Sequence, residues 1–256
     1  MKTIVDNLAI EYTDDGNGPI VLMLHGWADT LHTFDPILRY ITKYRIIRVD
    51  LPGFGGSERP KEPWGVEEYA RFVAAFCKKI DRQPDVLIGH SFGGRVAIKG
   101  VGTGLLSPQK LILIGSAGVV HPPTFRRMLL RVVAKLARGL TLVPPFSLYR
   151  QTLRKRLYDS IGSDYFTAGS MSGVYIKVIA EDLLQYARNI NISTLLVWGK
   201  QDSAVPLADG QKIHQAIRGS QLKVIDGASH FVHQEKPELV AKFIQDFVPA
   251  PLEASR

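Results

Sequence analysis

The residues with the clearest chemical potential form the stretch Gly89-His90-Ser91-Phe92-Gly93. A serine hydroxyl becomes a nucleophile when a tight strand-to-helix turn exposes it beside a base, and glycines at both flanks let neighbouring backbone approach. An apolar run ends at Ile88 and a helical pattern begins near Phe92. This context favours Ser91 as a nucleophile over a plain glycine-rich turn, with the helix N-terminus directed at the reacting oxygen.

A serine nucleophile needs a base, and the chain contains seven histidines. His230 is the candidate because it follows the apolar run 222–225, in a loop at the same sheet edge as the serine. His214 falls in a helical stretch, which favours a surface or packing role. His32 and His121 do not follow a strand.

The base in turn needs a carboxylate that fixes its tautomer and stabilises its charged form. Asp202 follows the apolar run 194–198, so the chain order is serine, acid, histidine, as in one known fold. Asp50, at the end of the run 45–49, is the competing acid. The glycine-rich turn at 51–57 favours a structural role for Asp50, in which its carboxylate bonds loop amides.

An oxyanion hole requires a second backbone N–H beside the one supplied by Phe92. His25-Gly26-Trp27 ends another apolar run, and we expect the Trp27 amide to provide this donor. Gly26 permits close approach, and the His25 ring is expected to brace the loop without acting as a base. The alternative is a glycine turn beside a core tryptophan.

The elements that must position these residues alternate between strand and helix. Short, nearly continuous apolar runs predict strands buried on both faces of a parallel sheet, and helix-period segments lie between them. The predicted strands are 20–24, 45–49, 86–88, 111–114, 194–198 and 222–225, with 3–5 and 8–13 as an antiparallel edge. The predicted helices include 33–41, 66–80, 93–101, 207–218 and 237–247. The pattern indicates a doubly wound α/β sheet.

The alternation is interrupted once, between residues 119 and 189, where the pattern is helical without a convincing buried strand. We interpret this segment as a helical cap inserted into a core made of residues 1–118 and 190–256. An insertion between parallel strands emerges at a sheet edge or over the carboxyl ends, where ligands bind in such folds.

Five motifs in the chain together resemble the α/β-hydrolase superfamily, in the family's order and across nearly the whole sequence. They are Leu24-His-Gly-Trp27, Val49-Asp-Leu-Pro-Gly-Phe-Gly-Gly-Ser57, Gly89-His-Ser-Phe-Gly-Gly94, Trp198-Gly-Lys-Gln-Asp202 and Gly227-Ala-Ser-His230. The resemblance implies an eight-stranded, mostly parallel sheet flanked by helices, an inserted helical cap, and catalytic roles for Ser91, Asp202 and His230.

Departures from individual members of that superfamily narrow the expected chemistry. Its haloalkane dehalogenases and epoxide hydrolases carry an aspartate nucleophile where this chain has Ser91. The loop His25-Gly-Trp-Ala-Asp29 also lacks the glycine–proline pattern of proline iminopeptidases and carbon–carbon bond hydrolases. What remains is similar to small carboxylesterases, which implies hydrolysis of a small or medium ester through an acyl-enzyme, without metal or organic cofactor. A slow-turnover ligand sensor, a thioesterase and a cofactor-free oxygenase are the alternatives.

The formal charge of +8 and the pI near 9.5 first suggest a nucleic-acid binder. However, the segment 119–189 holds eleven Lys or Arg against four Asp or Glu, which is +7 of that total. A solvated basic face on the predicted helix 124–138 is the simpler interpretation. The alternatives are steering of acidic substrates and peripheral contact with anionic lipid surfaces, and no nucleic-acid partner is expected.

The single cysteine, Cys77, excludes an internal disulfide and a multi-cysteine zinc site. Its helical surroundings predict a buried structural thiol. The sequence has no apolar run long enough for a secretory signal or a transmembrane helix. We therefore expect a reduced, cytoplasmic protein.

Overall fold

The computed structural model describes residues 1–121 and 169–249 of the chain. Its described strands form one eight-stranded sheet in the order β1-β2-β4-β3-β5-β6-β7-β8. The strands are β1 (Lys2–Val5), β2 (Leu8–Asp15), β3 (Ile20–Leu24), β4 (Arg45–Val49), β5 (Val86–His90), β6 (Lys110–Ile114), β7 (Ser193–Gly199) and β8 (Gln221–Ile225). The pairs β1–β2 and β2–β4 are antiparallel and every other pair is parallel. This confirms the predicted fold.

Helices cover both faces of this sheet, as the apolar strands require. The described helices are α1 (Asp35–Leu38), α2 (Val66–Lys79), α3 (Phe92–Gly102), α4 (Ser172–Ala180), α5 (Leu184–Ala187), α6 (Leu207–Ala216), α7 (Val232–Glu235) and α8 (Pro237–Phe247), with short 3₁₀ turns at Leu31–Phe34 and Gly169–Met171. One apolar cluster joins α2, α3 and α6 to one face of the sheet. A second cluster joins α1 and α8 to the other face.

The register of the central strands brings their carboxyl ends level. Leu24 of β3 pairs with Gly89 of β5, and His90 of β5 pairs with Ile114 of β6. Gly199 of β7 pairs with Ile225 of β8. The loops that follow these five strands therefore emerge at one edge of the sheet, where every residue with predicted chemistry lies.

One predicted helix, 33–41, is wrong in extent. The chain instead forms a 3₁₀ turn over Leu31–Phe34 and only four α-helical residues, Asp35–Leu38. The N–H groups of Tyr40 and Ile41 donate to carbonyls three residues earlier, so the helix ends in tight turns. Apolar spacing alone does not distinguish such turns from a regular α-helix.

The predicted cap lies largely outside the described residues. Only 119–121 and 169–189 of the segment 119–189 are described, and the amphipathic stretch 124–138 is not among them. In the described ranges, no helix combines the length and the apolar character needed to span a membrane.

Candidate active site

Ser91 occupies the turn between β5 and α3 in a conformation that non-glycine residues rarely adopt. Its φ is 49° and its ψ is −107°. The turn is held by backbone hydrogen bonds: the Ser91 N–H donates to the Ile114 carbonyl at 3.1 Å, and the Gly93 N–H donates to the His25 carbonyl at 2.9 Å. Such a turn lifts the serine side chain above the sheet edge.

The two flanking glycines are required by close backbone packing. A Cβ on Gly89 would lie 2.6 Å from the Gly93 carbonyl oxygen. A Cβ on Gly93 would lie 2.1 Å from the Leu24 carbonyl oxygen. Both distances are shorter than any normal contact, so the sequence pattern around Ser91 reflects the crossing of α3 over β3 and β5.

The structure joins Asp202 and His230, which are 28 residues apart. The Nδ1 atom of His230 lies 2.8 Å from Oδ2 of Asp202. The other carboxylate oxygen accepts the N–H groups of Ala204 at 3.0 Å and Val205 at 2.8 Å. The Asp202 side chain is fully buried, whereas 14% of the His230 side chain is exposed. Because an ionised carboxylate only accepts hydrogen bonds, Nδ1 carries the proton and Nε2 is left as the basic nitrogen.

The loop after β3 packs directly against Ser91. A Cβ on Gly26 would lie 3.4 Å from the Ser91 Cβ and only 3.0 Å from His90 Nδ1, so glycine leaves room for this close approach. The His25 ring bridges the loop to its neighbour: Nδ1 lies 2.7 Å from the Gly26 carbonyl oxygen, and Nε2 accepts the Leu51 N–H at 2.9 Å. Burial lowers the pKa of His25, which agrees with a neutral ring that makes one donor and one acceptor contact.

Aromatic rings surround the predicted oxyanion loop. The Trp27 ring centroid lies 5.0 Å from Phe54, 5.6 Å from Phe92 and 5.1 Å from Tyr175. Phe54 follows β4, Phe92 begins α3 and Tyr175 belongs to α4, so three separate segments meet on this indole. The described surroundings of Ser91 are consequently apolar on this side.

Asp50, the competing acid, is occupied by the loops beside it. Its Oδ1 accepts the Leu31 N–H at 2.7 Å, and its Oδ2 accepts the Gly56 N–H at 2.8 Å. In the structure His230 is therefore hydrogen-bonded to Asp202, whereas the Asp50 carboxylate accepts N–H groups of the loops.

The remaining histidines considered from the sequence have partners of their own. His121 Nε2 lies 2.7 Å from Asp209 Oδ2, and His214 Nδ1 lies 2.8 Å from Ser220 Oγ. His32 contacts Asp35 at 3.0 Å. In residues 1–121 and 169–249, no group of three or more His, Cys, Asp or Glu side chains is placed to hold a metal ion.

Sequence reasoning missed two buried cations on α3, the helix that begins directly after Ser91. Arg95 Nη1 donates to the carbonyls of Val178 and Glu181, both at 2.9 Å, and Lys99 Nζ donates to Glu181 Oε1 at 2.7 Å. Burial lowers the pKa of Arg95 to about 10. The two side chains therefore fix the C-terminal end of α4, which carries Tyr175, to α3. The sequence does contain a signal for this contact, because two cations lie four residues apart on an otherwise apolar helix.

Cys77 is buried in α2, and burial raises the pKa of its thiol to about 12. This agrees with the predicted structural role, because a thiol with such a pKa is not a nucleophile at neutral pH.

Comparison with known proteins places the chain among hydrolases. A family model described as the alpha/beta hydrolase family matches residues 21–243. The uncharacterized hydrolase YugF of Bacillus subtilis is 25% identical, with 94% of each chain covered. The monoacylglycerol lipase abhd6-B of Xenopus laevis is 24% identical over 91% of this chain and 76% of its own. The crystal structure of a hydrolase from Pseudomonas aeruginosa matches with a TM-score of 0.75 and 21% identity, covering 98% of both chains. At that identity, the structural likeness shows the fold alone.

Proposed function

The chain belongs to the alpha/beta hydrolase family, and on that premise we propose that it is a serine hydrolase of small or medium carboxylic esters. The observation that carries the proposal is the Asp202–His230 hydrogen bond of 2.8 Å. It leaves one basic imidazole nitrogen at the sheet edge where Ser91 occupies its strained turn. These three residue types in this chain order constitute a nucleophile, a base and an orienting acid.

In the proposed mechanism, His230 Nε2 takes the proton of the Ser91 hydroxyl as Oγ attacks the acyl carbon. The backbone N–H groups of Trp27 and Phe92 stabilise the oxyanion that forms. His230 then gives the proton to the departing alcohol, which leaves an ester between Ser91 and the acyl group. Water, deprotonated by the same imidazole, releases the acid and regenerates the serine.

Asp202 serves this mechanism through its surroundings. The N–H groups of Ala204 and Val205 and the imidazole N–H all donate to its carboxylate. Three donors hold the negative charge in a fully buried position, and that charge stabilises the imidazolium formed in each step. No metal or organic cofactor enters these steps.

Two features support an ester with an apolar acyl group as the substrate. The rings of Trp27, Phe54, Phe92 and Tyr175 form an apolar wall beside the nucleophile. The name of the Xenopus relative, monoacylglycerol lipase, is consistent with an ester substrate.

The domain division forms part of the proposal. Strands β7 and β8, after residue 190, complete the sheet begun by β1–β6, which supports a core of residues 1–118 and 190–256. The segment 119–189 then acts as the cap, and its net charge of +7 would favour anionic esters or anionic surfaces. If it steers substrate, kcat/KM for an anionic ester falls more steeply with salt than kcat/KM for a neutral ester. Equal salt dependence would contradict steering.

The test is hydrolysis of p-nitrophenyl acetate, butyrate and octanoate by the wild type, Ser91→Ala and Ser107→Ala. Ser107 is exposed and precedes β6, at the opposite edge of the sheet, so it is a matched serine control. We expect Ser91→Ala to lose activity by a factor of at least about 10⁴, whereas Ser107→Ala retains it. A fluorophosphonate should label Ser91 alone. Near-full activity of Ser91→Ala would refute the assignment, and labelling without turnover of any ester would favour the slow ligand sensor.

A further inference from the structure

We infer that His90 is a positioning residue, whose imidazole holds the backbone of His230 and fixes the spacing between the base and the oxyanion loop. The inference rests on the proposed function, because the group that it positions is the proposed base. His90 is the last residue of β5 and directly precedes the nucleophile.

The first contact is a hydrogen bond across 140 residues of sequence. His90 Nε2 lies 3.2 Å from the backbone carbonyl oxygen of His230. A carbonyl oxygen only accepts, so Nε2 must carry the proton. The ring of His90 thereby restrains the main chain of the residue whose side chain moves protons.

The second contact is with the loop after β3. The Nδ1 atom of His90 is buried and has no hydrogen-bond partner within the described ranges. It faces Gly26, where an added Cβ would lie 3.0 Å away. One ring therefore lies beside Gly26 of the oxyanion loop on one side and bonds the base loop on the other, while its own backbone continues into Ser91.

The surroundings keep the His90 ring rigid and uncharged. It is 1% exposed, and its centroid lies 4.9 Å from the His230 ring, 4.4 Å from His233 and 5.3 Å from Phe231. Burial, followed by the neighbouring His233, His230 and His25, lowers the pKa of His90 well below 6.5. A neutral His90 adds no repulsion when positive charge develops on His230, and Asp202 is the anion that faces that charge.

The hydrogen bond can be tested with two replacements of nearly equal size. Gln places an N–H donor close to the position of Nε2, whereas Met has similar length and no donor. For p-nitrophenyl acetate, we expect His90→Met to lower kcat about tenfold, which is the effect of one lost hydrogen bond of about 1.4 kcal/mol. KM should change less than about twofold. His90→Gln should stay within about threefold of the wild type.

Equal losses in the two variants, or no loss in either, would overturn the inference, because a purely space-filling role does not depend on a donor. The wild-type protein supplies a second test that needs no variant to fold. Nitrogen-15 spectra of histidine-labelled protein should show His90 as the Nε2–H tautomer and without titration between about pH 5.5 and 8. An Nδ1–H tautomer, or titration in that range, would also overturn it. Failure of the proposed function is separate: it would appear as an active Ser91→Ala variant.

Discussion

Lowering the pH from about 7.5 to about 5 should destabilise the folded chain, because the fold buries histidines as neutral rings. His233 is the best-defined case: burial, followed by the nearby His230, lowers its pKa from 6.5 to about 3. Burial lowers the pKa of His25 and His90 as well. Below about pH 6.5 the unfolded chain therefore binds more protons on these residues than the folded chain does.

The magnitude follows from this difference in bound protons. Each histidine that is neutral when folded and charged when unfolded lowers the free energy of unfolding by about 1.4 kcal/mol per pH unit. For His233 the full stability is present above about pH 6.5 and the loss reaches about 2 kcal/mol at pH 5. It continues until the pH approaches the folded pKa of about 3. The lowered pKa of His25 and that of His90 add to this loss in the same direction.

The assay is guanidinium unfolding at several pH values between about 5 and 7.5, with wild type and His233→Gln. Gln does not titrate, and its amide can bond the Thr33 hydroxyl, which lies 2.9 Å from His233 Nε2 in the native chain. We expect the stability of the variant to fall less steeply, by about 1.4 kcal/mol per pH unit. Parallel curves for the two proteins would refute the argument.

Three further substitutions separate the roles assigned to the site. Asp202→Asn should lower kcat about 10⁴-fold in the p-nitrophenyl ester assay, because an amide N–H opposite His230 favours the wrong tautomer. The control is Asp226→Asn, at an exposed ion pair with Lys200, which should leave kcat unchanged. Asp50→Ala should lower the free energy of unfolding by about 2–4 kcal/mol in guanidinium titrations, because two loop N–H groups lose their acceptor; a larger loss of kcat than in Asp202→Asn would reverse the two assignments. Gly26→Ala should lower kcat/KM at least about tenfold with an unchanged circular dichroism spectrum, because its Cβ would lie only 3.0 Å from His90 Nδ1 and would displace the loop beside Ser91. Full activity of this variant would show that the loop accommodates the methyl group without moving the site.

Much of the fold was predictable because strands buried on both faces leave nearly continuous apolar runs. Helix Pro237–Phe247 begins and ends as predicted, with proline in its first turn. The bounds of the short helix at Asp35–Leu38 were not predicted correctly, because its apolar spacing continues into turns whose hydrogen bonds join residues three apart. The order of the strands was not predicted, since apolar runs do not show which strands are neighbours.

The candidate triad was accessible from the sequence for a topological reason: parallel strands deliver the loops after them to one edge. The partners of His90 and Arg95 were not accessible, because the contacts join residues 140 and 83 positions apart. The sequence shows that a histidine precedes the serine and that a cation lies within an apolar helix. Which carbonyl it binds depends on how loops pack in three dimensions.

The backbone of Ser91 sets a limit on how stable an active form of this chain can be. A non-glycine residue at φ 49° and ψ −107° carries strain of about 1–3 kcal/mol, which the surrounding packing must offset. Glycine at that position would relieve the strain and remove the proposed nucleophile. Variants selected only for resistance to heat would therefore tend to drift toward inactivity at this residue, so stabilisation of this protein should be sought away from the turn.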